Sequence, residues 1–345
     1  MRFSSLRNLS LSVVVVFVVL LSAPNSFSKS AELRIYFIDV EGGQSTLLVA
    51  PSGQSLLVDT GWPDSNGRDA DRIAQAIKDA GLQQIDYLLI THYHTDHVGG
   101  VPQLLERVKV GTFIDHGRNL ENDELAPEGY AAYLKAIGTS RRVIAKPGYR
   151  IPIQGLNVEI LAAAGQHITH PLTGAGQPNP YCDSETKWPA DHTENAASLG
   201  FVLKYGNFRF VDFGDLTKDK ELNLVCPNNL IGTIDLFLVS HHGMNMSNTK
   251  SLVDALHPKA AIMENGPAKG DSPEAWQTVH DSPGLQDLWQ LHYTASSGKD
   301  HNVPDGYIAN LDGGSDGHYF KVVAHSDGSF SVTNSRNNVE RTYKK

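Results

Sequence analysis

Past its first thirty residues the chain alternates short apolar runs with polar turns. LRIYFIDV (33–40), STLLVA (45–50) and QSLLVDT (54–60) are rich in Leu, Ile and Val and are separated by Gly or Pro, which predicts strands. From Asp69 to Ala80 the period changes. Ala70, Ile73, Ala74 and Ile77 recur at helical spacing, and Gly81 supplies a stop. Ile85 to Ile90 returns to strand, Val98 to Val108 to helix, and VKVGTFID (108–115) to strand. The second half repeats the alternation. SLGFVLKYG and NFRFVDFGD predict a hairpin, Thr217 to Leu224 a helix, IDLFLVS (234–240) a strand, Asn248 to Ala255 a helix and KAAIMEN (259–265) a strand. YIANLDGG and YFKVVAHSDGSFSV predict sheet edges near the C-terminus. Two runs of strands with helices between them predict an α/β chain: two mixed sheets facing each other, with helices outside. Residues 163–191 are polar and rich in Gly and Pro, a connection of the length that is functional or disordered in compact domains.

The N-terminus breaks this pattern. Arg2 and Arg7 precede LSVVVVFVVLLSAP, and Ser26-Phe27-Ser28 follows, which predicts a secretory signal peptide over 1–28 and a mature domain over 29–345. The competing reading is an uncleaved anchor, but Val13 to Leu21 is short for a spanning helix. A secreted or periplasmic protein without stable membrane insertion of its mature chain is expected. The formal charge is −9, and loss of 1–28 removes two further positive charges. Such a balance disfavours nucleic acid as the main partner, since neutralising phosphates takes Lys and Arg. A small molecule or a cell-envelope component suits it better. Cys182 and Cys226 are the only cysteines; an exported chain is compatible with their pairing, though their spacing cannot establish it.

The densest chemistry is THYHTDHVGG (91–100), directly after the strand IDYLLI. In extended backbone residues i and i+2 project to one side, so His92 and His94 can grip one ion. Asp96 and His97 point elsewhere and suit a second. Imidazole and carboxylate donors without thiolate fit zinc, with Mn or Fe as alternatives. Gly99-Gly100 permit a sharp turn after the cluster.

This stretch resembles the signature of the metallo-β-lactamase fold superfamily, and further matches follow in the family's order. The resemblance implies an αββα sandwich with one or two metals at its edge. VDTG (58–61) resembles the family's first motif, which makes Asp59 a support for the ligand loop. DFGD (212–215) implies that Asp215 bridges both metals, and LVSHHG (238–243) that a histidine caps the second. His242 is favoured as that ligand and His241 as a substrate-facing catalytic group. His192 is favoured as the third histidine of the first metal; Asn195, in Asn195-Ala196-Ala197-Ser198, is the rival. DVEGGQST, HHGMNMS and YTASSGKDHNVPDGYIANLDG resemble the competence-type subgroup, which includes the extracytoplasmic domain of DNA-uptake channels and the cell-wall phosphorylcholine esterases. Glu41, Gly42 and Met244 depart from its pattern.

The metal set His92, His94, Asp96, His97, His192, Asp215 and His242 thus implies a hydrolase with two zinc ions and a bridging hydroxide. Asp96 would orient that nucleophile, and His241 would serve the leaving group or oxyanion. Phosphodiesters or phosphoesters are the expected substrates. A lactone or β-lactam is the alternative, and a non-catalytic binding domain a third reading, disfavoured by the complete donor set. Loop 163–191, which carries Tyr181 and Trp188 and which a Cys182–Cys226 pairing would tie down, is expected to wall the substrate cleft.

Overall fold

A computed structural model describes residues 1, 32–63, 65–121, 129–182, 187–312 and 316–345. The expected signal peptide, apart from Met1, lies outside the described residues. The compact body is Ala31–Lys345. Among the described residues no helix is long and apolar enough to cross a membrane.

The chain lays down six strands of a first sheet: β1 Leu33–Phe37, β2 Thr46–Val49, β3 Ser55–Val58, β4 Gln84–Leu89, β5 Lys109–Asp115 and β6 Arg142–Ile144. It then builds a second sheet from β7 Arg150–Ile151, β8 Asn157–Ala163, β9 Gln166–His167, β10 Gly200–Tyr205, β11 Phe208–Asp212, β12 Leu236–Leu238, β13 Ala260–Met263, β14 Asp287–His292 and β15 Ile308–Asn310. Finally β16 Phe320–Ala324, β17 Phe330–Asn334 and β18 Glu340–Tyr343 return to the first sheet beside β1. Helices α1 Arg68–Asp79, α2 Thr95–Val98, α3 Val101–Leu105 and α4 Tyr130–Ile137 pack on the outer face of the first sheet. Helices α5 Lys218–Val225, α6 Lys250–Leu256 and α7 Pro273–His280 pack on that of the second.

The strand pleat divides each apolar run between two cores. Leu33, Ile35 and Phe37 of β1 face the inter-sheet core with Phe208 and Phe210 of β11, while Tyr36 faces the helices. Leu236 and Leu238 of β12 likewise point inward and Phe237 outward. Burial on both faces explains why these strands read as continuous apolar runs rather than alternating ones. The result is the expected αββα sandwich.

Each sheet is mixed. β3, β4, β5 and β6 run parallel, as do β11, β12, β13, β14 and β15; the other pairings are antiparallel. Parallel strands end at a common edge, and their C-terminal loops cluster there. Asp59 follows β3, His92 to His97 follow β4, Asp215 follows β11, and His241 and His242 follow β12. The topology therefore collects four distant motifs.

Three expectations need correction. Val98–Val108 is not one helix but α2 and α3, separated at Gly99-Gly100. Those glycines make no sharp turn: both have ordinary right-handed φ, −63° and −74°. They are needed for close approach, since a Cβ on Gly99 would lie 2.3 Å from Thr95 O and one on Gly100 2.1 Å from Thr60 O. Third, β16 and β17 are interior strands, and the edge of that sheet is β18. Cys182 and Cys226 form a disulfide that ties the long loop to the end of α5.

Candidate metal centre

Asp59 anchors the ligand loop. Its backbone is left-handed (φ 59°) and its side chain fully buried. Oδ1 accepts the Thr91 N–H at 2.8 Å, and Oδ2 lies 2.6 Å from Thr91 Oγ1 and 2.7 Å from His97 Nδ1. Asp59 thus fixes the ring that it faces and the start of the loop together. From behind, Gly43 packs so closely on the Asp96 carbonyl that a Cβ there would sit 2.3 Å from it.

Asp96, His97, Asp215 and His242 offer ligand atoms that converge, and so do His92, His94 and Asp215. In the first of these groups His97 Nε2 lies 3.1 Å from His242 Nε2, 3.2 Å from Asp96 Oδ2 and 3.3 Å from Asp215 Oδ1. His242 Nε2 lies 3.2 Å from Asp96 Oδ2 and 3.5 Å from Asp215 Oδ1. Four ligands at about 2.0 Å from a central ion form a tetrahedron with edges of about 3.3 Å, so the spacing fits a zinc-sized cation. The other oxygen of Asp215, Oδ2, faces His92 Nε2 at 3.8 Å and His241 Nε2 at 3.2 Å. Asp215 therefore stands between the two groups with one oxygen toward each. The first group is closed by four donors; the second has three among the described residues, leaving a position open to a substrate or water.

Hydrogen bonding assigns each imidazole's tautomer. Thr91 Oγ1 donates to Asp59 and so accepts from His92 Nδ1–H (3.2 Å). His97 Nδ1–H donates to Asp59, and His242 Nδ1–H to the Glu264 carbonyl at 3.1 Å. His94 Nε2–H donates to Glu121 Oε2 at 3.2 Å, leaving Nδ1 as its free nitrogen. Ser247 Oγ donates to Leu216 O at 2.7 Å and accepts from His241 Nδ1–H at 3.3 Å. In each ring the outer nitrogen is spent and the other presents a lone pair. His92 Nε2 is accordingly buried without a hydrogen-bond partner. Lone pairs and carboxylates facing one another without protons are what a cation site requires.

The protonation equilibria report the same demand. Burial would depress His97, but Asp215, Asp96 and Asp59 outweigh it and hold the ring well above the usual histidine range. Burial would raise Asp215, but His241, His97 and His242 hold it well below the carboxylate range. Burial, followed by the other imidazoles, pushes His92 well down. His241 is pushed down to about 4 by burial and stays neutral near pH 7.

His241 and His242 both adopt left-handed backbone (φ 53° and 54°), an unfavourable conformation that persists where surroundings impose it. It places two adjacent rings on opposite oxygens of Asp215. His192 is not brought to either group. It is exposed and lines a cavity with Trp188 and Lys218. The chain turns inward only after it: Glu194 is buried on His116 (2.7 Å), and Asn195 is buried with Oδ1 lacking a hydrogen-bond partner. Ser198 Oγ then accepts the Asp215 N–H at 3.2 Å, so the turn packs against the Asp215 backbone. Sequence reasoning missed Glu121 and Lys269. Lys269 Nζ touches Asp96 Oδ2 and lies 5.0 Å above the Trp62 ring. Neither stands in a motif that could have revealed it.

The metallo-beta-lactamase superfamily model matches residues 39–263, which include every donor described above. The chain belongs to this superfamily. ComE operon protein 3 of Bacillus subtilis is 24% identical over 252 residues, 69% of this chain and 29% of its own length. Ribonuclease Z of Clostridium beijerinckii is 33% identical over 85 residues, 25% of this chain and 24% of its own. Hydroxyacylglutathione hydrolase of Xylella fastidiosa is 40% identical over 62 residues, 17% of this chain and 20% of its own. The chain thus spans under a third of each relative, and two of the three are named for hydrolytic activities.

Asp59 belongs to neither converging donor group, yet it orients His97 and Thr91. Asp59→Ala should weaken metal binding by about 10- to 100-fold in competition with a chelator, with Asp59→Asn intermediate. Unchanged affinity in both variants would remove Asp59 from the site.

Proposed function

We propose that the protein is an exported, metal-dependent hydrolase of phosphodiester or phosphoester bonds. The observation that carries the reading is the sharing of Asp215 between a closed four-donor group and an open three-donor group. Two zinc ions held there, or Mn or Fe in their place, would acidify a water to near neutrality and clamp the attacking and leaving oxygens of a displacement. His92, His94 and Asp215 would hold one ion, and Asp96, His97, Asp215 and His242 the other.

The chain's own residues supply the rest. His241 is neutral and turns Nε2 inward as a lone pair, so it can accept a hydrogen bond from the nucleophile; held at about 4, it is too weak a base to keep a proton at neutral pH. The leaving-group or oxyanion role that the resemblance implies for His241 would need Nε2 protonated instead. Asp96, ionised and touched by Lys269, can orient the nucleophile while the ammonium steadies an anionic substrate.

The phosphoester reading is supported by the match to ribonuclease Z, a relative named for cleaving a nucleic acid, and by the resemblance to the competence-type subgroup, whose relative ComE operon protein 3 aligns with most of the chain. The short but closer match to hydroxyacylglutathione hydrolase supports an acyl substrate as the second reading. Zinc- and manganese-loaded protein should hydrolyse bis-p-nitrophenyl phosphate or p-nitrophenylphosphorylcholine well above a lactone and nitrocefin. Preference for the lactone or nitrocefin would replace the first reading with the second. Metal-loaded protein inert on the whole panel would favour a binding role.

Export rests on the basic, apolar and small-residue order of 1–28. Mass spectrometry of protein from its native host should find an N-terminus near Lys29; intact Met1 in a membrane fraction would mean an anchor instead.

A further inference from the structure

A cavity of about 770 Å³ is lined by Trp188, His192, Lys218 and Met246, among others. Its walls grow out of the metal centre. Thr217 and Lys218 follow Asp215, Asn245 and Met246 follow the His241-His242 turn, and Trp188 to Thr193 lead into the turn that supports Asp215. Two hydrogen bonds fasten these walls together. Lys218 N–H donates to Met246 O at 3.1 Å, and Asp191 N–H to Asp219 Oδ2 at 3.1 Å. The cavity is therefore framed by the segments that flank Asp215 and the His241-His242 turn.

Its chemistry is specific. Trp188 and Met246 are 41% and 45% exposed, which is unusual for large apolar side chains, and both open into this one space. Lys218 Nζ rests 4.2 Å above the Trp188 ring. Among the described residues it forms no ion pair. The neighbouring Asp219 is engaged by Lys220 Nζ (2.8 Å) and Thr217 Oγ1 (2.8 Å) instead. An ammonium over an exposed indole is held weakly, more weakly than a flat ring stacked in its place. A ring can displace it, and the freed ammonium can then face the anion to which the ring is attached.

We propose that this cavity is the subsite for an aromatic or similarly planar substituent on a singly anionic ester, with the ring on Trp188 and Met246 and Lys218 turned to the anionic centre. The proposal rests on the phosphoester reading and names the substrate class that the site prefers. Asp191 and Glu274 also line the cavity, which disfavours a polyanion there. Tyr181, expected with Trp188 in the wall of the substrate cleft, instead lines a separate cavity of about 460 Å³ with Asn179 and His257.

Binding of methyl(phenyl)phosphinate and dimethylphosphinate, both singly anionic and not hydrolysable, to metal-loaded protein by calorimetry tests this apart from catalysis. The wild type should prefer the phenyl compound by about tenfold or more. Trp188→Ala should abolish the preference while leaving metal content and dimethylphosphinate binding unchanged. Trp188→Phe should restore part of it, and Lys218→Met should weaken the phenyl compound several-fold. Equal binding of the two phosphinates by the wild type, or an undiminished preference in Trp188→Ala, overturns the subsite. A preference that follows Trp188 in a protein inert on every phosphoester supports the subsite and counts against the hydrolase reading alone.

Discussion

The structure depends on one arrangement: the outward nitrogen of each histidine near Asp215 already donates a hydrogen bond. His97 is held by Asp59, His242 by the Glu264 carbonyl, His92 by Thr91, His94 by Glu121 and His241 by Ser247. With those protons directed away, lone pairs and carboxylate oxygens are pressed to about 3 Å from one another. Without a cation the only relief is a proton, and the raised affinity of His97 for one expresses that. In the proposed hydrolase, metal binding and nucleophile activation would both follow from this enforced crowding of donors.

The scaffold's task is to hold that crowding against repulsion. It does so by ending parallel strands of both sheets at one edge, so that each donor leaves a rigid strand within a few residues. Close backbone approach fixes the loops relative to one another, as at Gly43, Gly99 and Gly100, where any side chain would collide with a carbonyl. The pair His241-His242 is left-handed at both positions, and it is where a single chain segment must serve both sides of Asp215. The cavity beside Trp188 has walls that continue from the loops bearing Asp215, His241 and His242.

Much of this was legible in the sequence because the signals are local. Strands buried on both faces read as apolar runs, and His92, His94, Asp96 and His97 sit within six positions of one another after such a run. Other features are decided by tertiary contacts. His192 and Asn195 lie three residues apart, and spacing could not show that the first stays in solvent while the second turns inward. Helix α4 buries only Tyr133 and Ile137, too few for a clear period, and the edge strand β18 is largely exposed and charged. Glu121 and Lys269 come from irregular loops, where no periodicity announces a contact. The pairing of Cys182 with Cys226, 44 residues apart, likewise depends on how the long loop returns to α5.

The central claim is that one carboxylate, Asp215, joins two cations. The most direct measurement is an anomalous difference map at the metal absorption edge from crystals of the metal-loaded protein. It should show two peaks, one among Asp96, His97 and His242 and the other beside His92 and His94, each bonded to a different oxygen of Asp215. A single peak, or two peaks of which only one contacts Asp215, would contradict it.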